Sequence, residues 1–114
     1  MDLKIRSKKF AHSCVKLATE LPNTKLGSHI ELQLIRSATS VAANYRAACL
    51  AQTKKGFISK LSIVIEEADE SIFWIEFLKE ENLKNGTQVN DVLKEAKELT
   101  AIFISSRITA SKNI

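Results

Sequence analysis

Glycine and proline are scarce here, three and one respectively in 114 residues. An all-β fold needs turn residues about every 8–12 positions, so this scarcity favours helices. No apolar run approaches the roughly 20 residues that span a bilayer, and no membrane partner is expected. The opening MDLKIRSKKF carries charge with no signal-type apolar core behind it, which makes a cytoplasmic location the expectation. Isolated glycines exclude a phosphate-cradling loop. Cys14 and Cys49 have neither CxxC spacing nor a nearby histidine to complete a zinc set. Each falls on or beside an apolar stripe, so both are expected to be buried and reduced.

What is present bounds the chain well. Its length suits one domain with a real core and is too short for two. Hydrophobic residues make up 45%, and a net charge of +4 permits a polyanionic partner without demanding one.

Apolar spacing predicts four helices, at about 2–20, 28–51, 54–82 and 88–110. In the first, Leu3, Phe10, Cys14, Leu17 and Leu21 share an arc, and Lys4, Arg6, Lys8, Lys9 and Lys16 spread over the other side. Pro22 ends it. Ser28-His29-Ile30-Glu31 fits a capping box opening the second helix. Along one edge of that helix Gln33, Ser37, Ser40 and Asn44 form a polar row, expected to bond to a neighbouring helix and fix the register.

Thr53 is the expected cap of the third helix and Thr87 of the fourth, after an Asn85-Gly86 turn. The third carries a core stripe from Phe57 and Leu61 to Ile75 and Leu78, with Ile63, Phe73, Trp74 and Phe77 opposite it among Glu66, Glu67 and Glu70. Such rings would form an exposed apolar patch on a monomer, which points to subunit contact. Wide grooves within a single bundle are the alternative. Arg107 sits on the inner arc of the fourth helix; it either snorkels out or pairs with Glu66 or Glu67. The tail from Ser111 to Ile114 is expected to fray. Short connections argue for an all-α, antiparallel up-down four-helix bundle.

Little here fits catalysis. A di-iron carboxylate bundle needs two Glu-x-x-His pairs, but Lys9 precedes His12 and Leu26 precedes His29 at that spacing. Ser37 and Ser40 have no neighbouring histidine. No catalytic residue, metal or cofactor is expected. Charge is uneven: up to Gln52 eight Lys/Arg face three Asp/Glu, and from Thr53 to Asn82 four face seven. The basic surface therefore falls on Lys4, Arg6, Lys8, Lys9, Lys16, Arg36 and Arg46, with Lys54 and Lys55 expected beside Arg46. RNA or DNA is the candidate partner, the phosphate contacts multiplied in a ring. Scattered solubilising lysines are the alternative.

The run Gln33-Leu34-Ile35-Arg36-Ser37-Ala38, then Ser40-Val41-Ala42-Ala43-Asn44, continuing through Phe57, Lys60-Leu61, Glu66, Glu70 and Trp74, resembles a known family. These are the four-helix-bundle proteins encoded in intervening sequences of 23S ribosomal RNA, related to the accessory variability protein of diversity-generating retroelements. The likeness is strongest from about Ile30 to Leu83. It implies an up-down bundle assembled as a homopentamer, a basic surface engaging nucleic acid and, in the retroelement branch, a reverse transcriptase. It implies no activity and no catalytic residue. Two departures stand out: Asn44-Tyr45-Arg46-Ala47, where relatives often place a small residue, an acid and a glycine, and Gly56, where a first-turn acid is common. Tyr45 is placed with the subunit contact.

Three functional classes follow. The first is a non-enzymatic oligomeric nucleic-acid-binding module. The second is a protein adaptor or scaffold ring, such as an accessory factor for a reverse transcriptase, presenting the acidic aromatic face. The third, a metal-dependent enzyme, requires stoichiometric bound metal and is not expected.

Overall fold

Side-chain oxygens start three of the helices. In the computed structural model, which describes residues 2–112, the Asp2 carboxylate accepts from the Lys4 amide at 2.7 Å, opening α1 (Leu3–Thr19). Thr24 Oγ1 accepts from the Gly27 amide at 3.0 Å and opens α2 (Lys25–Cys49). Thr53 does the same for Gly56 at 3.0 Å, opening α3 (Lys54–Glu80). Each satisfies a first-turn N–H that lacks a partner in its own helix. α4 covers Thr87–Lys112, and no strand occurs among the described residues.

The cap of α2 differs from the capping box expected at Ser28. Thr24 takes that role four residues earlier, and the Ser28 amide donates to the Thr24 carbonyl at 2.8 Å as part of the helix ladder. Gly27 makes the earlier start feasible. A Cβ there would stand 2.0 Å from the Pro22 carbonyl oxygen, so only glycine lets the incoming chain pass so close.

α3 ends in a Schellman arrangement. Asn82 adopts a left-handed φ of 56°, its amide donates to the Lys79 carbonyl at 3.1 Å, and the Leu83 amide donates to the Leu78 carbonyl at 3.0 Å. Gly86, at φ 103°, completes the turn; Thr87 is then the first helical residue rather than a cap outside the helix. Ser111 and Lys112 are helical where fraying was expected, and Asn113 and Ile114 lie outside the described residues.

One stripe from each helix forms the core: Phe10, Cys14 and Leu17 from α1, Ile30, Leu34 and Val41 from α2, Leu61, Val64 and Ile75 from α3, Val89, Leu99 and Phe103 from α4. Ala18, Ala38, Ala68 and Ala96 are also buried, and such small side chains let neighbouring backbones approach. α2 packs against α1 and α3, and α4 packs against α3 and α1. Along the α2–α3, α3–α4 and α1–α4 seams, rising residue numbers on one helix meet falling numbers on the other. His29 meets Trp74 and Arg36 meets Glu67. Glu76 meets Lys97, whereas Ser62 meets Arg107. Arg6 meets Glu95, whereas Glu20 meets Lys84 and Gln88.

Buried hydroxyls form a smaller bridge than the polar row suggested. Ser37 alone of that row crosses to another helix, its Oγ lying 2.9 Å from Ser71 Oγ. Asn44 instead donates to the Ser40 carbonyl of its own helix at 2.9 Å. Gln33 is half-buried beside them and makes no such crossing bond. Ser7 and Ser71, both fully buried, lay outside the expected stripes. Cys14 is buried as expected, and desolvation pushes its thiol well above the ordinary cysteine range. Cys49 is exposed, contrary to expectation, because the last turn of α2 carries it past the core.

Gly27→Ala is expected to destabilise the protein by about 1–3 kcal/mol in urea melts, since a backbone carbonyl must move. Gly56→Ala, whose Cβ would meet nothing closer than 3.1 Å, is the mild control. The hydrogen bond from Lys84, aided by Gln88, holds the Glu20 carboxyl below the ordinary glutamate range. Its contribution is present above that range and lost as pH falls through the depressed value. Glu20→Gln should therefore flatten the acid limb of a stability–pH curve.

Candidate nucleic-acid interface and the acidic aromatic face

Cations of the first half sort into two groups. Lys4, Lys8, Lys9 and Arg46 are exposed and make no ion pair among the described residues. Lys16 is exposed near the Glu20 carboxylate. Arg6 and Arg36 behave differently from the expected solvent-facing ligands. Arg6 turns toward α4, its Nε donating to Glu95 at 2.8 Å and its Nη2 to Glu95 at 2.7 Å and Glu98 at 2.9 Å. Arg36 donates to Glu67 at 2.8 Å and also to Glu70, clasping α3 from α2. A planar fork between two carboxylates is a fastener, so both guanidinium groups serve the bundle first.

An open groove of about 590 Å³ runs between α1 and α2. Ile5, Ala11, Val15, Ala42 and Ala43 supply its apolar surface, and Lys4, Lys8, His12 and Arg46 its polar rim. The sequence hinted at the rim but not at the groove, because a hollow between two helices depends on how they pack. Lys54 and Lys55 were expected beside Arg46. Lys54 lines a second cavity, about 530 Å³, with Phe57 of α3 and Ile102, Ser105 and Thr109 of α4.

The outer face of α3 carries the rings. Phe73 is 51% exposed and Ile63 39%, whereas Trp74 and Phe77 are half-buried against the core. Phe73 meets Trp74 edge-on with centroids 4.9 Å apart, and Phe77 lies 5.7 Å from Phe73. Trp74 also meets the His29 ring edge-on at 5.4 Å and donates its indole N–H to Glu70 at 3.3 Å. The seam between α2 and α3 thus absorbs part of the aromatic surface and leaves Ile63 and Phe73 outside.

Tyr45 belongs elsewhere. Its ring packs on Phe103 of α4 at 5.3 Å, apart from the α3 rings. Arg107 pairs with neither Glu66 nor Glu67: the register brings it level with Ser62, whose Oγ accepts at 3.5 Å. Glu67 is taken by Arg36, and Glu66 stays exposed on the outer face.

Four helices, no strand among the described residues and no helix long and apolar enough to cross a membrane define an all-α four-helix protein. Among those residues no group of three His, Cys, Asp or Glu side chains is placed to share a metal ion. The family model of the 23S rRNA-intervening sequence proteins matches residues 1–105, and the chain belongs to that family. It is similar to a crystal structure from Bacteroides thetaiotaomicron, of a protein with unknown function from the S23 ribosomal protein family. The two share 32% identity over 93% of this chain and 98% of the other, with a TM-score of 0.86. No curated protein matches.

Burial pushes the Tyr45 phenol up to about 12, with the adjacent Cys49 thiol adding to the rise. The neutral phenol's contribution is complete below the ordinary tyrosine value of 10.0 and is lost as pH climbs through about 12. Because the chain has a single tyrosine, absorbance at alkaline pH reads this group alone. A midpoint about two pH units above that of the urea-unfolded chain is expected; coincident midpoints would remove the packed environment.

Proposed function

We propose that this protein is a non-enzymatic homo-oligomer that binds nucleic acid, RNA or DNA, through the cationic surface of α1 and α2. The reading includes an antiparallel up-down bundle, supported by the opposed order of contacts along the α2–α3, α3–α4 and α1–α4 seams and by short connections. It also includes a homopentamer, implied by the family resemblance, and a cytoplasmic location. Catalysis, metal and cofactor have no part in it. The observation that carries it is the outer side of α1, where Lys9 and Lys16 are exposed with no ion pair among the described residues. Repetition around a ring would turn weak phosphate contacts into useful avidity. The family's name refers to intervening sequences of 23S rRNA, which makes RNA the first ligand to test.

A second reading, a scaffold ring that presents α3 to a protein such as a reverse transcriptase, draws support from the exposure of Phe73 in the single chain.

Binding to generic single-stranded RNA should weaken linearly on a logarithmic salt scale. Lys9→Glu with Lys16→Glu is expected to lower affinity for all sequences alike and to reduce the slope by about one for each phosphate no longer neutralised. Binding that ignores salt, or none at low salt, rules the nucleic-acid reading out. Light scattering with and without RNA reports assembly in the same experiment.

A further inference from the structure

We propose that the groove between α1 and α2 is a receptor for the outer ridge of α3 from a second copy of this chain. The proposal rests on the self-association in the reading above and adds which two surfaces meet.

Three observations on the single chain lead to it. The groove has an apolar floor built largely from alanine, with Ile5 54% exposed at its edge, and its rim cations Lys4, Lys8 and Arg46 make no ion pair among the described residues. The ridge offers the complement. Ile63 and Phe73 stand out from it, flanked by the exposed carboxylates of Glu66 and Asp69. Those two acids make no ion pair among the described residues, whereas Glu67, Glu70 and Glu76 on the same helix are paired within the chain. Uncommitted positive charge therefore borders an apolar hollow, and uncommitted negative charge borders an apolar protrusion. Complementary potentials of this kind set partner choice and register.

A single copy cannot bring the two together, because α1 packs against α2 and α4 but not against α3. A second copy can. Ile63 to Phe77 spans about 21 Å of helix, and the groove from Lys4 to Val15 spans about 17 Å, so the lengths match. The contact is head-to-tail, with different patches meeting, and each copy keeps a free groove at one end and a free ridge at the other. The two patches are different surfaces, so repetition builds a ring where the rotation between copies closes and a filament where it does not. Phe73 is the knob expected to enter the alanine floor.

Paired charge reversals test this. Light scattering after gel filtration, with helicity and melting recorded alongside, is expected to find a multimer for the unaltered chain. Lys8→Glu with Arg46→Glu, and separately Glu66→Lys with Asp69→Lys, should each yield folded monomers. All four changes in one chain should restore the multimer, and Phe73→Ala should raise the dissociation concentration at least tenfold. A multimer that survives both single-face reversals puts the contact elsewhere and overturns this proposal while leaving self-association standing. A monomeric unaltered chain overturns both. A folded quadruple variant that stays monomeric overturns the pairing of these faces, as does a monomer whose groove binds single-stranded RNA through Lys8 and Arg46.

Discussion

Dehydration of one stripe on each of four helices is the constraint on which the remainder of this protein depends. The stripes are narrow, and they alternate branched or aromatic side chains with alanine: Val64 and Ala68 on α3, Leu34 and Ala38 on α2, Ala96 and Leu99 on α4. Close packing leaves little slack in such an interior, so bulky rings beyond the stripe have nowhere inside to go. Phe103 fits because it lies on the inner stripe of α4, where Tyr45 packs against it. Phe73 does not, and it remains outside. What the core refuses becomes the surface on which an interaction can be built.

Charge then decides how the stripes line up. Arg6 spans two carboxylates of α4, and Arg36 spans two of α3. Both forks sit beside the core rather than inside it, which avoids most of the desolvation penalty that buried pairs suffer. Each is geometrically specific because a planar guanidinium accepts few arrangements of its partners. Ser37 and Ser71 add a neutral tie through the α2–α3 seam. In the first half of the chain, the cations left over are Lys25 at the start of α2 and those bordering the α1–α2 groove and the outer side of α1. Fasteners and candidate ligands were thus indistinguishable by composition; only the helix-to-helix register separates them.

Helical character, the count of helices and most of the core were legible in the amino-acid pattern, because a 3.6-residue period survives any packing arrangement. Leu17, Leu34, Leu61 and Val64 follow from spacing alone. Features set by two elements at once were not legible. Thr24 as a cap depends on Pro22 bending the chain past Gly27, which no local pattern at Ser28 announces. Arg6 and Arg36 looked like solvent-facing cations because the acids that hold them lie about 90 and 30 positions further along the sequence. Arg107 was matched to the right helix but to a residue one turn too far along it. Cys49 read as buried because it continues the spacing of Ala48 and Val41, and the core stops just short of it.

Two corners of the molecule differ in how crowded they are. Between α1 and α2, the Pro22 carbonyl occupies the space that any side chain at position 27 would claim. Between α3 and α4, Gly86 has no neighbour within 4 Å of where a side chain would begin, and Asn85 beside it is exposed. Exposed loop tips of the second kind accommodate added sequence far better than tight corners do. A fluorescent reporter or a tether spliced in at 85–86 would leave all four helices to form around it, giving every subunit of an assembly a handle at the same end.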